Sequence, residues 1–245
     1  MVTIDREAAP ATAVAAVPAL VAALVGRRGA ALALGVLPAA IALFFRDPDR
    51  RPDRAAATFL RDPDRRPDGG GTAGPGAGAF DADTVVSPAD GKVMYAGPGQ
   101  DGVAPEGEWQ QVSIFLSAFD VHINRAPYGG RLTDVTYRQG KWLAAYKHES
   151  AHLNERTDLV VEREVDGETR VVQFRQIVGL MARRVVTRVA AGDEVTTGQR
   201  IGLMKFGSRM DVFVPPEVAL LVHAGQRVVA GETVIARWPS SGVPR

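Results

Sequence analysis

Three residues of this chain are of types that can do chemistry: Ser208, directly after Gly207; His122, at the end of an apolar run; and Asp90, in the turn Pro88-Ala89-Asp90-Gly91. A serine hydroxyl can attack the carbonyl of the residue before it only where the backbone is bent and uncrowded, and a glycine there has no Cβ to obstruct it. A base must come within hydrogen-bond reach of the hydroxyl, and imidazole exchanges protons near neutrality. Read singly, each residue also has a plainer use. Gly-Ser is a common turn pair, an aspartate shapes its own turn, and a histidine at a strand end can be a hydrogen-bonded structural residue.

The segment around Ser208 reads as one buried strand with a break in it. Ile201, Leu203 and Phe206 lead in, Gly207-Ser208 interrupts, and Val212-Phe213-Val214 resumes before Pro215-Pro216. Glycine inside a strand pattern marks a bulge or a close backbone approach. The run Phe206-Gly207-Ser208-Arg209-Met210-Asp211 resembles the self-cleavage site of the pyruvoyl-dependent phosphatidylserine decarboxylases, in their short, archaeal-type form. Other blocks resemble that family in the same order: Phe44-Phe45-Arg46-Asp47-Pro48 closing an apolar hairpin, the Asp90 turn, and Ser117-x-x-Asp120-x-His122 followed by Pro127. Asn154-Glu155-Arg156 is a shorter match.

The resemblance implies a lyase that makes its own cofactor. The chain would cut itself between Gly207 and Ser208, and Ser208 would become a covalent pyruvoyl group able to form a Schiff base with a serine headgroup and act as an electron sink. It implies Ser208 as nucleophile and pyruvoyl precursor, His122 as the active-site histidine and Asp90 as the acid of an Asp-His-Ser arrangement. The product would be phosphatidylethanolamine, and the enzyme a complex of its own fragments, 1–207 and 208–245. An archaetidylserine substrate stays open. The longer form of the family carries a second histidine three positions after the first, and Arg125 stands there in this chain. The remaining histidines, 148, 152 and 223, therefore stay open as bases for self-cleavage. His148 and His152 have the one-turn spacing of a metal pair, but no third ligand is recognisable and no metal is expected.

Composition narrows the classes. Net charge is +1, which argues against a nucleic-acid partner, and cysteine is absent, which removes thiolate nucleophiles and disulfides together. Residues 8–25 and 29–45 are uncharged arms of 18 and 17 residues separated by Arg27-Arg28, and they read as a membrane-anchoring hairpin over 1–45. Arg46, Arg50, Arg51 and Arg54 follow, and the positive-inside rule then places the rest at the cell membrane on its cytoplasmic side. The octapeptide at 46–53 recurs at 61–68, and Asp68 to Ala79 holds six glycines, so 46–80 reads as a flexible linker.

Residues 81–245 carry the strand patterns of a mainly β catalytic domain. Leu159–Val165 and Val171–Phe174 flank Asp166-Gly167 as a hairpin, with Arg163 the exception on an apolar face. Ala191-Gly192-x-x-Val195-x-x-Gly198-x-x-Ile201 matches Ala224-Gly225-x-x-Val228-x-x-Gly231-x-x-Val234 at an offset of 33. These two hairpins flank Gly207-Ser208 and suggest a pseudo-symmetric barrel or sandwich similar to lipoyl and biotinyl carrier modules. That likeness supports a second reading from another class, a carrier domain modified at Lys205 of Met204-Lys205.

Overall fold

The computed structural model describes residues 80–180, 184–204 and 207–239, together with 3–4, 16–17, 20 and 46–47. The hairpin expected over 1–45, most of the linker, and Lys205 and Phe206 lie outside the described residues. Among the described residues no helix is long and apolar enough to cross a membrane. The chain forms two compact units, Met1–Asp49 with Leu60–Pro67, and Arg50–Phe59 with Asp68–Arg245. In the first, Thr3–Ile4 pairs antiparallel with Arg46–Asp47.

The second unit is mainly β. Its strands are β1 (Thr84–Val86), β2 (Gly91–Pro98), β3 (Gln110–Leu116), β4 (Ile123–Arg125), β5 (Gly130–Arg138), β6 (Arg156–Val165), β7 (Glu168–Ile177), β8 (Val185–Thr187), β9 (Glu194–Val195), β10 (Arg200–Met204), β11 (Ser208–Val214), β12 (Ala219–Leu220), β13 (Arg227–Val228) and β14 (Val234–Arg237). One short helix, α1 (Ser150–Leu153), interrupts them. An eight-stranded antiparallel sheet runs β9-β5-β6-β7-β11-β3-β2-β13, and two three-stranded sheets run β8-β10-β4 and β12-β14-β1. The expected β6–β7 hairpin is present. Val165 pairs with Glu168, and both loop residues have positive φ, Asp166 at 53° and Gly167 at 83°, the turn that matches strand twist. Arg163, out of pattern on its strand, lies over the Tyr128 ring at 5.8 Å.

The large sheet reads the same from both ends. Val195 of β9 pairs with Gly130, and Val228 of β13 pairs with Gly91. Gly198 and Gly231 occupy equivalent left-handed turns, at φ 83° and 69°. The backbone bonds repeat with them: Gly231 N–H to Ser87 O and Gly198 N–H to Ala126 O, both 2.8 Å; Val86 N–H to Pro127 O at 2.9 Å and Arg125 N–H to Pro88 O at 2.8 Å. The last two are reciprocal, as a two-fold axis requires. They also reveal a second repeat, 39 residues apart, that relates β1 and β2 to β4 and β5. The sequence match of Ile201 to Val234 is corrected by one position. Val234 pairs with Val86 as Arg200 pairs with Arg125, so Ile235 is the counterpart of Ile201.

The expectation of one bulged strand through Gly207-Ser208 is also corrected. β10 belongs to a three-stranded sheet with β4 and β8, whereas β11 lies between β7 and β3 in the large sheet. The chain changes sheets between Met204 and Ser208, and Gly207 takes φ 65° there.

Every residue of β11 is buried. Met210, Val212 and Val214 face the main core, and Phe213 packs in a smaller cluster with Val103, Ala151 and Ile177. On the strand face shared with Phe213, Arg209 Nε meets Asp211 Oδ1 at 2.6 Å, with the side chains 3% and 0% exposed. Arg209 also donates to Ser113 Oγ at 3.1 Å. Breaking a buried pair from one side leaves an uncompensated charge, at a cost of about 3–5 kcal/mol. We expect Asp211→Ala to destabilise the uncleaved Ser208→Ala protein by about that much in urea unfolding. Unchanged stability would show that Arg209 reaches water or another partner.

Candidate active site

Ser208 opens β11 opposite Leu116 of β3 and is fully buried. Its Oγ makes no hydrogen bond among the described residues. A buried hydroxyl left without a partner costs about 1–3 kcal/mol, which makes Ser208 a candidate for a role beyond packing. Gly207 before it is required by conformation rather than by space. A Cβ there would meet nothing within 4 Å, but φ 65° disfavours a side chain.

The sequence after β3 is built to aim His122 at this junction. Asp120 N–H closes the turn onto Ser117 O at 3.0 Å, and Asp120 Oδ2 accepts from Ser117 N–H at 2.8 Å and from Ser117 Oγ–H at 2.7 Å. The other oxygen of that buried carboxylate is paired with the Arg227 guanidinium. The turn thereby directs the Asp120 carbonyl at His122 Nδ1, 2.7 Å away. On the other side of the ring, Gly207 N–H points at Nε2 at 3.3 Å.

These two contacts fix the tautomer. A carbonyl only accepts and an amide N–H only donates, so the proton sits on Nδ1 and Nε2 presents its lone pair to the Gly207-Ser208 junction. Burial holds the imidazole down at about 4 from its usual 6.5, against the opposing effects of the Asp120 carbonyl and the Asp120 and Asp90 charges. The ring is neutral at pH 7.

Asp90 acts on this ring through its charge. Its Oδ1 accepts the Ala230 N–H at 2.9 Å, which ties the turn after β1 to the hairpin before β14, and its charge raises the proton affinity of His122. Of the expected Asp-His-Ser residues, His122 meets the Gly207 amide next to Ser208, and Asp90 acts on the ring through its charge. The Asp120 carbonyl orients Nδ1, while Asp90 contributes field.

Other expectations resolve differently. The Arg125 guanidinium donates to Gly198 O at 2.8 Å, and its Cδ lies 2.9 Å from where a Cβ on Gly231 would stand, so the arginine packs the junction between the two repeats. His148 precedes α1 instead of sharing a helix with His152, and both are exposed, as is His223. Among the described residues no three His, Asp or Glu side chains come together as a metal site.

Gly179 was not singled out by the sequence. A Cβ on it would stand 1.8 Å from Gly207 O and 2.9 Å from Gly207 C, so the carbonyl of the Gly207-Ser208 bond rests directly on this glycine. The Asn154-Glu155 pair builds the seat. The buried Asn154 accepts Leu143 N–H at 2.9 Å and donates to Leu143 O and Val178 O, each at 2.8 Å. Glu155 accepts Val178 N–H on its carbonyl at 3.1 Å and Val185 N–H on its carboxylate at 3.1 Å. Only three-dimensional packing could show that Gly179 faces Gly207. The Asn-Glu-Arg match was the one signal pointing to that region.

The arrangement combines a hydroxyl with no hydrogen bond among the described residues, a neutral imidazole whose lone pair meets the preceding amide, and a Gly207 carbonyl seated on Gly179. We expect 15N spectra of the uncleaved Ser208→Ala protein to show His122 as the Nδ1-protonated neutral form, titrating near 4. Because that value lies below the unfolded 6.5, folding stability is full above 6.5 and declines as pH falls toward 4, by up to about 3 kcal/mol. A His122 midpoint at 6.5 would overturn this geometry.

Comparison with known proteins identifies the family. A family model described as phosphatidylserine decarboxylase matches residues 54–236, a span that includes Asp90, His122 and Ser208. A phosphatidylserine decarboxylase proenzyme of Solibacter usitatus is 42% identical over 194 residues, covering 79% of this chain and 76% of its own. Proteins of the same name from Symbiobacterium thermophilum and Salinibacter ruber are 42% and 38% identical, covering 84% and 87% of this chain and 85% and 82% of theirs. This chain belongs to the phosphatidylserine decarboxylase family.

Proposed function

We propose that this chain is the proenzyme of a pyruvoyl-dependent lyase that converts phosphatidylserine to phosphatidylethanolamine and carbon dioxide. The observation that carries the reading is the buried Ser208 hydroxyl without a partner, next to a Gly207 amide held on the His122 lone pair. Rotation about the Ser208 Cα–Cβ bond brings Oγ to the Gly207 carbonyl. His122 Nε2 takes the hydroxyl proton as the Oγ–C bond forms, and the Ser208 nitrogen leaves carrying a proton, so an ester replaces the peptide bond. Loss of the Ser208 Cα proton then expels the Gly207 carboxylate, and water replaces the nitrogen as ammonia to leave a ketone at residue 208. The pyruvoyl group supplies an electron sink for decarboxylation.

The fold suits a chain that is cut and stays assembled. Fragment 208–245 would supply β11, which pairs with β3 and β7 on its two sides, and β14, which pairs with β1. Fragment 1–207 would keep His122, Asp90 and Gly179. The apolar arms of residues 1–45 and the arginines after them support attachment to the cell membrane with this unit on the cytoplasmic side.

Intact-mass analysis of the purified chain should give two species, 1–207 and a pyruvoyl-blocked 208–245. Ser208→Ala should give one uncut, inactive chain, and His122→Ala should slow fragment appearance by roughly 10²-fold or more. An active preparation containing only intact chain would refute the proposal.

The seat under the scissile carbonyl has its own consequence. Gly179→Ala displaces the Gly207 carbonyl by more than an ångström in the geometry of its Cβ, and misplacement on that scale costs about 10²-fold in rate. We expect fragment appearance to slow by roughly that factor. Gly130→Ala is the matched control, since its Cβ would meet Glu162 O at 2.2 Å on the β5–β6 pair, away from Ser208. Equal slowing in both would assign the effect to general damage.

A further inference from the structure

The three most exposed large apolar side chains among the described residues are Phe119 at 82%, Tyr146 at 66% and Leu180 at 64%. A lone exposed apolar residue needs no explanation. These three, however, sit on the three segments that converge on the Gly207-Ser208 junction. Phe119 lies in the Ser117–Asp120 turn that orients His122. Leu180 follows Gly179, on which the Gly207 carbonyl rests. Tyr146 follows Ala145, whose Cβ is among the atoms nearest a side chain at 179, and its ring packs edge-on against Phe115 at 6.2 Å.

Exposed cations accompany them. Lys147 and Arg184 lie on or just beyond the same segments. Lys92 is the register partner of both Arg227 and Phe115, so the two cations stand side by side on one face of the β2–β13 edge, next to the ring that Tyr146 covers. Glu149 is the exposed carboxylate on these stretches. Apolar tips within a basic surround are the composition of a surface that enters an anionic lipid interface.

We propose that Phe119, Tyr146 and Leu180 are the points at which the site meets a phospholipid bilayer, their side chains entering the boundary between headgroups and acyl chains while Lys92, Lys147 and Arg184 hold anionic headgroups. The inference rests on the reading of the substrate as phosphatidylserine. Each methylene of an acyl chain adds to the cost of passing through water, so a two-chain lipid cannot reach buried Ser208 by diffusion through solvent. The mouth of the site has to touch the bilayer. This contact is separate from the apolar arms at residues 1–45, which could tether the unit without deciding which face it presents.

The test uses the full chain bound to phosphatidylcholine–phosphatidylglycerol vesicles whose acyl chains carry bromine near the glycerol. Phe119→Trp and Tyr137→Trp each add one tryptophan to the parent, the second at an exposed site on β5. The added emission of the Phe119→Trp protein should be largely quenched and that of Tyr137→Trp retained. Equal quenching of both, or of neither, overturns the proposed face. Cleavage and phosphatidylserine decarboxylation are measured on the same preparations. Activity without quenching at 119 removes this inference and leaves the functional reading standing, whereas a folded chain that neither cleaves nor decarboxylates removes the reading and this inference with it.

Discussion

The ladder on both sides of Ser208–Val214 is the constraint from which the site follows. β11 pairs with β3 from Ser208 to Val214 and with β7 from Arg209 to Phe213, and none of its side chains reaches solvent. A strand paired and buried on both faces cannot shift without losing many hydrogen bonds and contacts together. The first peptide outside that pairing is Gly207-Ser208, where the chain leaves one sheet for another with Gly207 in a left-handed conformation. The left-handed turn is therefore confined to the residue before the strand, and the strand beyond it supplies the anchorage.

The second feature is the buried His122, and burying an imidazole favours its neutral form, which alone offers a lone pair. The residual problem is orientation, which the Ser117–Asp120 turn solves by satisfying the Asp120 carboxylate with Ser117 and Arg227, leaving the Asp120 carbonyl free to hold Nδ1. Asp90 adds a charge that partly restores the basicity lost to desolvation. The division matters chemically: one group sets direction and another sets proton affinity.

How much of this was legible depends on whether a feature is local. The Asp166-Gly167 turn follows from residue type, and the blocks around Asp90, His122 and Ser208 are short, ordered patterns. The offset of 33 between the two glycine hairpins was visible because left-handed turns demand glycine at Gly192, Gly198, Gly225 and Gly231. The offset of 39 was not. It survives in backbone bonds, while the side chains at matching places, such as Ser87 and Ala126, have diverged. Gly179 was invisible for a related reason, since nothing in its neighbours tells that Gly207 will rest on it. The change of sheet at Gly207 needed the partners of β10 and β11, which no single segment carries.

The repeat also shows how a symmetric scaffold yields one site instead of two. The backbone at His122 corresponds to that at Asp83: Met204 N–H bonds to His122 O at 3.2 Å, as Trp238 N–H bonds to Asp83 O at 2.9 Å. In one half the side chain before the matching strand is an imidazole aimed at Gly207. In the other it is a carboxylate paired with Arg170 at 2.6 Å, and that guanidinium lies over the Trp238 ring at 5.3 Å. Likewise the place of Asp90 is taken by Gly129, whose N–H is held by Thr197 Oγ at 2.9 Å. The strands set equal positions in both halves, and the side chains then separate them into a reactive end and a structural one. The chain order adds to the division, because Met204 leads directly into Gly207-Ser208 and the central strand.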